Sequence, residues 1–277
     1  MKRLISTCLL LLSLGACVNL EAVRDFAGES AKLSGYTELT IRFRDTYKRE
    51  QPYLSAEADL MARENDKRRQ TAYQDLLKVH EGVSLYMRTL ATLAGDDTFD
   101  VAQEFSAVSS GIKAYPDLGI DAKHVDAFSN MSKVLAKWAT SAAQERAVRE
   151  MVKEGGPHLQ VMLEGMVRLV RYYRKTFENE EREIFGLFET ELPFANGPKD
   201  RLLVVIARAH VQAKAAEYQA MKAMYAAAEQ GIKSIADGHK RLLENVDRLS
   251  SDEAKHLISR FAKDIKAARS SLKAIPT

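Results

Sequence analysis

Between a few glycine- and proline-marked breaks, apolar residues in this chain return every three or four positions, the spacing of one face of an α-helix. The breaks fall at Gln51-Pro52, Gly95-Asp96-Asp97, Tyr115-Pro116 with Gly119, Gly155-Gly156-Pro157 and Asn196-Gly197-Pro198. Over residues 159–192, Leu159, Met162, Leu163, Met166, Leu169, Val170, Tyr173, Phe177, Ile184, Phe185, Phe188 and Leu192 form one stripe, which predicts a helix about 50 Å long. Tyr172 is set to point away from the stripe that buries Tyr173. The preceding segment carries Val125, Phe128, Met131, Leu135, Trp138, Val148 and Val152, and reads as a helix capped by Asp121 and ended at Gly155-Gly156, with Pro157 opening the next.

After Pro198, Leu202, Ile206, Ala209, Ala213, Ala216, Ala220, Met224 and Ala228 form a mostly alanine seam, which predicts a closely packed helix at the centre of a bundle. The last helix opens on the capping pattern Ser250-Ser251-Asp252-Glu253 and carries Leu257, Phe261, Ile265, Ala268 and Leu272. Earlier, Tyr73 to Leu93 marks another long helix and Phe99 to Ile112 a short one. Residues 20–50 suit a helix through Val23, Phe26, Leu33, Tyr36, Leu39, Phe43 and Tyr47, although Leu39, Ile41 and Phe43 also alternate like a strand. No second strand-like run exists to pair with that one. The expectation is an all-α fold, an elongated antiparallel bundle of six or seven helices, several of them long, with coiled-coil-like packing and short connections.

The first residues change the picture of where this bundle works. Lys2 and Arg3 precede the apolar run Leu4 to Leu12, and small residues follow at Gly15 and Ala16, the layout of a secretory signal peptide. An apolar core of about ten residues is too short to span a bilayer. The stretch Leu14-Gly15-Ala16-Cys17 resembles the lipobox of bacterial lipoprotein precursors. That resemblance implies cleavage between Ala16 and Cys17, removal of residues 1–16, and a mature bundle of residues 17–277 whose Cys17 carries a membrane anchor of three acyl chains such as palmitate. With Val18 and Asn19 after the Cys rather than Asp, the same resemblance implies an outer-membrane protein facing the periplasm. Little chain separates Cys17 from the first helical pattern, so the body is expected close to the bilayer.

Charge and cysteine content follow from that cut. The formal charge of +3 falls to +1 once Lys2 and Arg3 are gone, which gives no support to a nucleic-acid partner. Cys8 leaves with the signal and Cys17 is acylated, so the mature body holds no thiol for a disulfide, a metal or nucleophilic catalysis.

Candidate chemistry in the body is sparse. A di-metal carboxylate centre needs paired Glu-x-x-His motifs and two further inward glutamates, whereas Glu253 with His256 and Asp121 with His124 both sit at helix starts. Neither metal nor cofactor is expected. His80, His158, His210 and His239 read as surface or partly buried helix residues. No GxSxG, Walker, HExxH or glycine-rich phosphate pattern occurs, and a non-enzymatic protein is expected. The densest charge run, "RENDKRRQ", reads as a solvated helix stretch or as a basic patch for lipid phosphates or an acidic partner; Arg63, Lys67, Arg68 and Arg69, together with the outward Tyr172, form the candidate interaction patch. "FENEEREIF", residues 177–185, reads as a helix's wet face.

These readings predict a lipid-anchored component of the envelope that binds another protein or acts structurally, as an export accessory or an immunity or exclusion factor. Two other classes stay open. One is a membrane-active bundle resembling ClyA-type pore formers, for which the body offers only "LLVVIA", residues 202–207. The other is a small-ligand carrier with Met162, Met166, Met221 and Met224 lining a cavity.

Overall fold

A computed structural model describes residues 20–32, 34–96, 105, 108–138, 141, 143, 145–195, 197–249 and 251–273. The signal segment, Ala16 and Cys17 lie outside the described residues, as does most of the short helix expected over 99–112. Among the described residues the protein is all-α, a bundle of packed helices of which several are long. The helices are α1 (Glu21–Ala31), α2 (Ser34–Arg44), α3 (Thr46–Glu50), α4 (Ala56–Leu93), α5 (Ala122–Trp138), α6 (Glu145–Glu191), α7 (Arg201–Glu244) and α8 (Asp252–Lys273). Residues 21–31, 34–44 and 46–50 are helical rather than extended, and Leu39 and Phe43 are buried in the core.

α6 is the spine. Its 47 residues run about 70 Å, and α4, α5 and α7 all lie antiparallel along it: Tyr86 meets Gly155 while Arg69 shares a cleft with Tyr172, Lys137 meets Glu154 while Lys123 meets Glu164, and Ala236 meets Gln160 while Tyr218 meets Glu180. α8 packs on α7 and α1, and α1 on α4. The stripe from Leu159 to Phe177 is fully buried, including Met162 and Met166, which fill the core.

The break expected at Gly155-Gly156-Pro157 is not there. All three lie inside α6, and the helix boundary falls instead between Trp138 and Glu145. The glycines serve approach, not termination: a Cβ on Gly155 would sit 2.6 Å from the Tyr86 ring of α4, and one on Gly156 3.0 Å from the His239 ring of α7. The apolar register Val148, Val152, Gly155, Leu159, Met162, Met166 passes through the glycines without a step, which is the sign of a continuous helix.

A second correction concerns α7. Its alanine seam is the packed centre only at its far end: Ala209, Ala213 and Ala216 are exposed and Ala220 is half-buried, whereas Met224 and Ala228 are buried. The face turned to α6 carries Val211, Tyr218, Tyr225 and Ile232 instead. Burying large side chains removes far more apolar area than burying alanine, and that decides which face docks. Caps follow the sequence more closely: Asp121 Oδ1 accepts from the Lys123 N–H at 3.2 Å, and Ser251 Oγ from the Ala254 N–H at 3.3 Å.

If Gly155 is a crossing point, Gly155→Ala should destabilise the protein by about 1–3 kcal/mol through overpacking against Tyr86. Gly186→Ala, on the same helix with nothing within 4 Å of its Cβ position, should instead gain up to about 1 kcal/mol of helix propensity. Chemical denaturation of the two variants checks the contrast.

Candidate functional site

Four of the five patch residues read from the sequence meet in one place. Lys67, Arg68 and Arg69 of α4 and Tyr172 of α6 line a cleft of about 580 Å³, closed by Phe43, Thr46 and Glu50 from α2 and α3 and by the turn at 114–118. Arg63 does not join them; it lies nearer the start of α4 and pairs with Asp59 at 2.8 Å. The run is only partly a solvated stretch, since Lys67 and Arg68 are exposed but Arg69 is 7% exposed. Tyr172 keeps 36% of its surface, while Tyr173 beside it is buried and stacked on Phe43.

The Arg69 guanidinium is loosely held. Its nearest carboxylates are Glu50 at 3.9 Å and Asp66 at 3.8 Å, both beyond hydrogen-bond length, and its buried Nε and Nη2 have no acceptor. Burial pulls its pKa down against the pull of Glu50 and Asp66. Burial also raises the pKa of Glu50, with Arg69 acting in the other direction.

Below the cleft lies an ionic cluster that the sequence reading missed. Glu180, expected on a wet face, is fully buried. Arg49 grips it through Nε at 2.8 Å and Nη2 at 2.7 Å, and the Tyr218 hydroxyl donates to it at 2.6 Å. Arg42 stands 3.8 Å away and bonds Glu217 at 3.0 Å. Burial and the adjacent Glu180 carboxylate push the Tyr218 phenol far up, so it stays a donor. The missed signal was spacing: Tyr173, Phe177, Glu180 and Ile184 step by four, three and four along the buried stripe. With three donors on its carboxylate, Glu180 ties α3, α6 and α7 together rather than standing ready as a base.

Two of the four histidines are deeper than expected, while His158 and His210 are half-buried as expected. His80 and His239 are buried, and burial depresses their pKa values to about 4 and about 3. His239 is held at Nδ1 by Gln160 (3.2 Å) and at Nε2 by Tyr86 (3.3 Å), and His80 by Thr40 at 2.8 Å. His124, also buried, folds back on Asp121 at 2.8 Å. Among the described residues no group of three or more His, Cys, Asp or Glu could hold a metal ion, and no helix is long and apolar enough to cross a membrane.

A second surface lies where the α6–α7 hairpin outruns the body. Phe194 is 80% exposed, Leu202 71% and Ile206 56%, with Leu203 and Val205 similarly open. The outward face of α7 continues from Leu202, Val205 and Ile206 through Ala209, Gln212, Ala213, Ala216 and Ala220 to Ala223, a line without charge that is edged by the exposed Arg208 on one side and by Glu217 on the other. Two other polar residues of this arm turn inward: His210 bonds Tyr53 at 2.7 Å and Lys222 pairs with Glu181 at 2.7 Å.

No protein-family model, curated protein or solved structure matches the chain.

Removing one partner of a buried ion pair leaves the other charge stranded, so Glu180→Ala should cost about 3–5 kcal/mol of stability. Glu217→Ala, whose carboxylate is more than a third exposed, should cost less than about 1 kcal/mol. Equal losses in urea melts would remove Glu180 from its place as the tie between helices.

Proposed function

We propose that this protein is a non-enzymatic, lipid-anchored helical bundle on the periplasmic face of the outer membrane, and that the outward face of α7 docks a helix of another protein. The observation that carries this reading is the uncharged, mostly exposed stripe from Leu202 to Ala223. Contiguous exposed apolar surface of this kind marks a contact site.

The spacing says what kind of occupant fits. Residues 202, 206, 209, 213, 216, 220 and 223 alternate steps of four and three, the seam of a left-handed helix pair. Alanines along most of it let a second helix axis approach to the lower end of the usual 8–10 Å. The stripe also tapers, bulky at Leu202 to Ile206 and small from Ala209 onward, so the matching seam must taper the opposite way. Two copies of this chain satisfy that only when antiparallel, whereas copies tethered by their N-termini to one leaflet approach in parallel. A helix of a different protein is therefore the occupant.

The anchor rests on Leu14-Gly15-Ala16-Cys17. Two or more acyl chains make membrane attachment effectively permanent. In the bacterial host, the mature wild type should carry acyl mass in the outer-membrane fraction, and Cys17→Ser should lose both. A mature wild type without acyl mass would overturn the anchor.

For the docking face, a photo-crosslinking residue at Ala209 should give one adduct whose partner peptide maps to a single apolar-seamed helix. One at the exposed Lys240 should give none. Ala213→Glu should abolish the Ala209 adduct without changing helix content. An adduct of twice the chain's own mass, or equal yields at Ala209 and Lys240, would overturn the reading.

A further inference from the structure

The cleft beneath Tyr172 is not part of the α7 face, and its chemistry points to a different kind of ligand. Two arginines flank Glu50 in this region, and they are treated in opposite ways. Arg49 is firmly held at Nε and Nη2: two bonds to Glu180, one from Nη2 to the Arg42 carbonyl at 2.7 Å, and one to Thr46 at 3.3 Å. That is how a structural arginine is held. Arg69 is more than nine-tenths buried, yet has no hydrogen-bonded acceptor on Nε or Nη2. A guanidinium cannot escape by losing its proton, and a buried charge without close partners is costly. What this arginine lacks is an acceptor, and it borders an open cleft.

The rest of the lining narrows the ligand. Tyr172 presents its ring at the wall, held edge-on by Phe43 with centroids 5.7 Å apart and planes at 79°. Thr176, Asn65 and Asn179 add neutral polar groups. At the mouth the exposed Arg68 stands 3.6 Å from Glu64, a solvent-screened pair also beyond hydrogen-bond length. The lining carries three cations, Lys67, Arg68 and Arg69, against three carboxyls, Glu50, Glu64 and Asp117. A site so balanced does not attract a polyanion. It suits a ligand with one oxyanion for one guanidinium, and its volume of about 580 Å³ lies in the range usual for small-molecule sites.

We propose that the cleft between α4, α6 and the 114–118 turn binds a small molecule that joins a single oxyanion, carboxylate or phosphate monoester, to a planar apolar group, with the oxyanion on Arg69 and the planar group against Tyr172. An arginine fork matches either oxyanion, and the tyrosine ring supplies a stacking or edge contact. Lys67, exposed at the mouth, adds charge for capture rather than for affinity.

Titration calorimetry of the full-length protein with benzoate, phenyl phosphate and inorganic phosphate tests this. Saturable binding of at least one ring-bearing probe is expected below about 10 mM. A hydrogen-bonded charge contributes about 1.5–3 kcal/mol, so Arg69→Gln should weaken that probe tenfold or more. Tyr172→Ala should weaken the ring-bearing probes while leaving inorganic phosphate unchanged. Preference for benzoate or for phenyl phosphate assigns the oxyanion as carboxylate or phosphate. Should Arg69→Gln fail to fold, Arg69→Lys keeps the charge but loses the fork, and is expected to weaken binding likewise. No saturable binding of either ring-bearing probe, or equal affinity in the wild type and the Arg69 variants, would overturn the proposal.

Discussion

The close approach at Gly155 and Gly156 is the constraint on which the bundle depends. One glycine admits the Tyr86 ring of α4 and the other the His239 ring of α7, so three long helices converge where α6 has no side chain of its own. Two glycines and Pro157 are poor helix formers, the glycines costing about 1 kcal/mol each relative to alanine and the proline about 3. The helix runs through them because the apolar register on either side is unbroken and is buried over more than 20 residues. Tertiary packing outweighs local propensity here, and it sets the antiparallel stacking that builds the cleft and leaves the α7 arm free.

Polar groups inside the bundle follow the same logic of enclosure. Glu180, Arg49 and Tyr218 satisfy one another and join three helices at the level where α3 crosses α6. His239 sits between Tyr86 and Gln160, and burial keeps its ring neutral. Arg69, one turn-rich segment away from Arg49, breaks the pattern, because its carboxylate neighbours stand too far off to bond. Glu180 and Glu229 are met by hydrogen-bonded arginines, whereas Arg69 and the Glu50 beside it stand 3.9 Å apart, and that difference separates groups that hold the fold from a guanidinium that awaits a ligand.

Much of this was legible in the sequence, and the failures have definite causes. The stripe from Leu159 to Phe177 and the opposed fates of Tyr172 and Tyr173 follow from helical period alone. The Gly-Gly-Pro run misled because the same residues end helices in water and let helices touch in a core, and only the register beyond them tells the two apart. The alanine seam holds at Met224 and Ala228 but misled from Ala209 to Ala216, because small apolar residues suit either a tight interface or an open face; Tyr218, Tyr225 and Ile232 on the other side of α7 had the larger area to bury. Glu180 was lost within an acidic run, although its place three after Phe177 and four before Ile184 put it on the core stripe. The patch of Lys67, Arg68, Arg69 and Tyr172 was assembled from charge density and one outward ring, but the depth of Arg69 depends on α3 lying over it, which no local pattern encodes.

The central claim is that α7 is one continuous helix with two environments, a body half packed on α6 and α8 and an arm half with an open outer face. Hydrogen–deuterium exchange on the purified full-length protein reads this residue range by residue range, because protection tracks local packing. Slow exchange is expected over 218–242 and much faster exchange over 199–214, with the change falling near Tyr218. Uniformly slow exchange along all of α7 in the isolated monomer would show the arm already covered, and would contradict it.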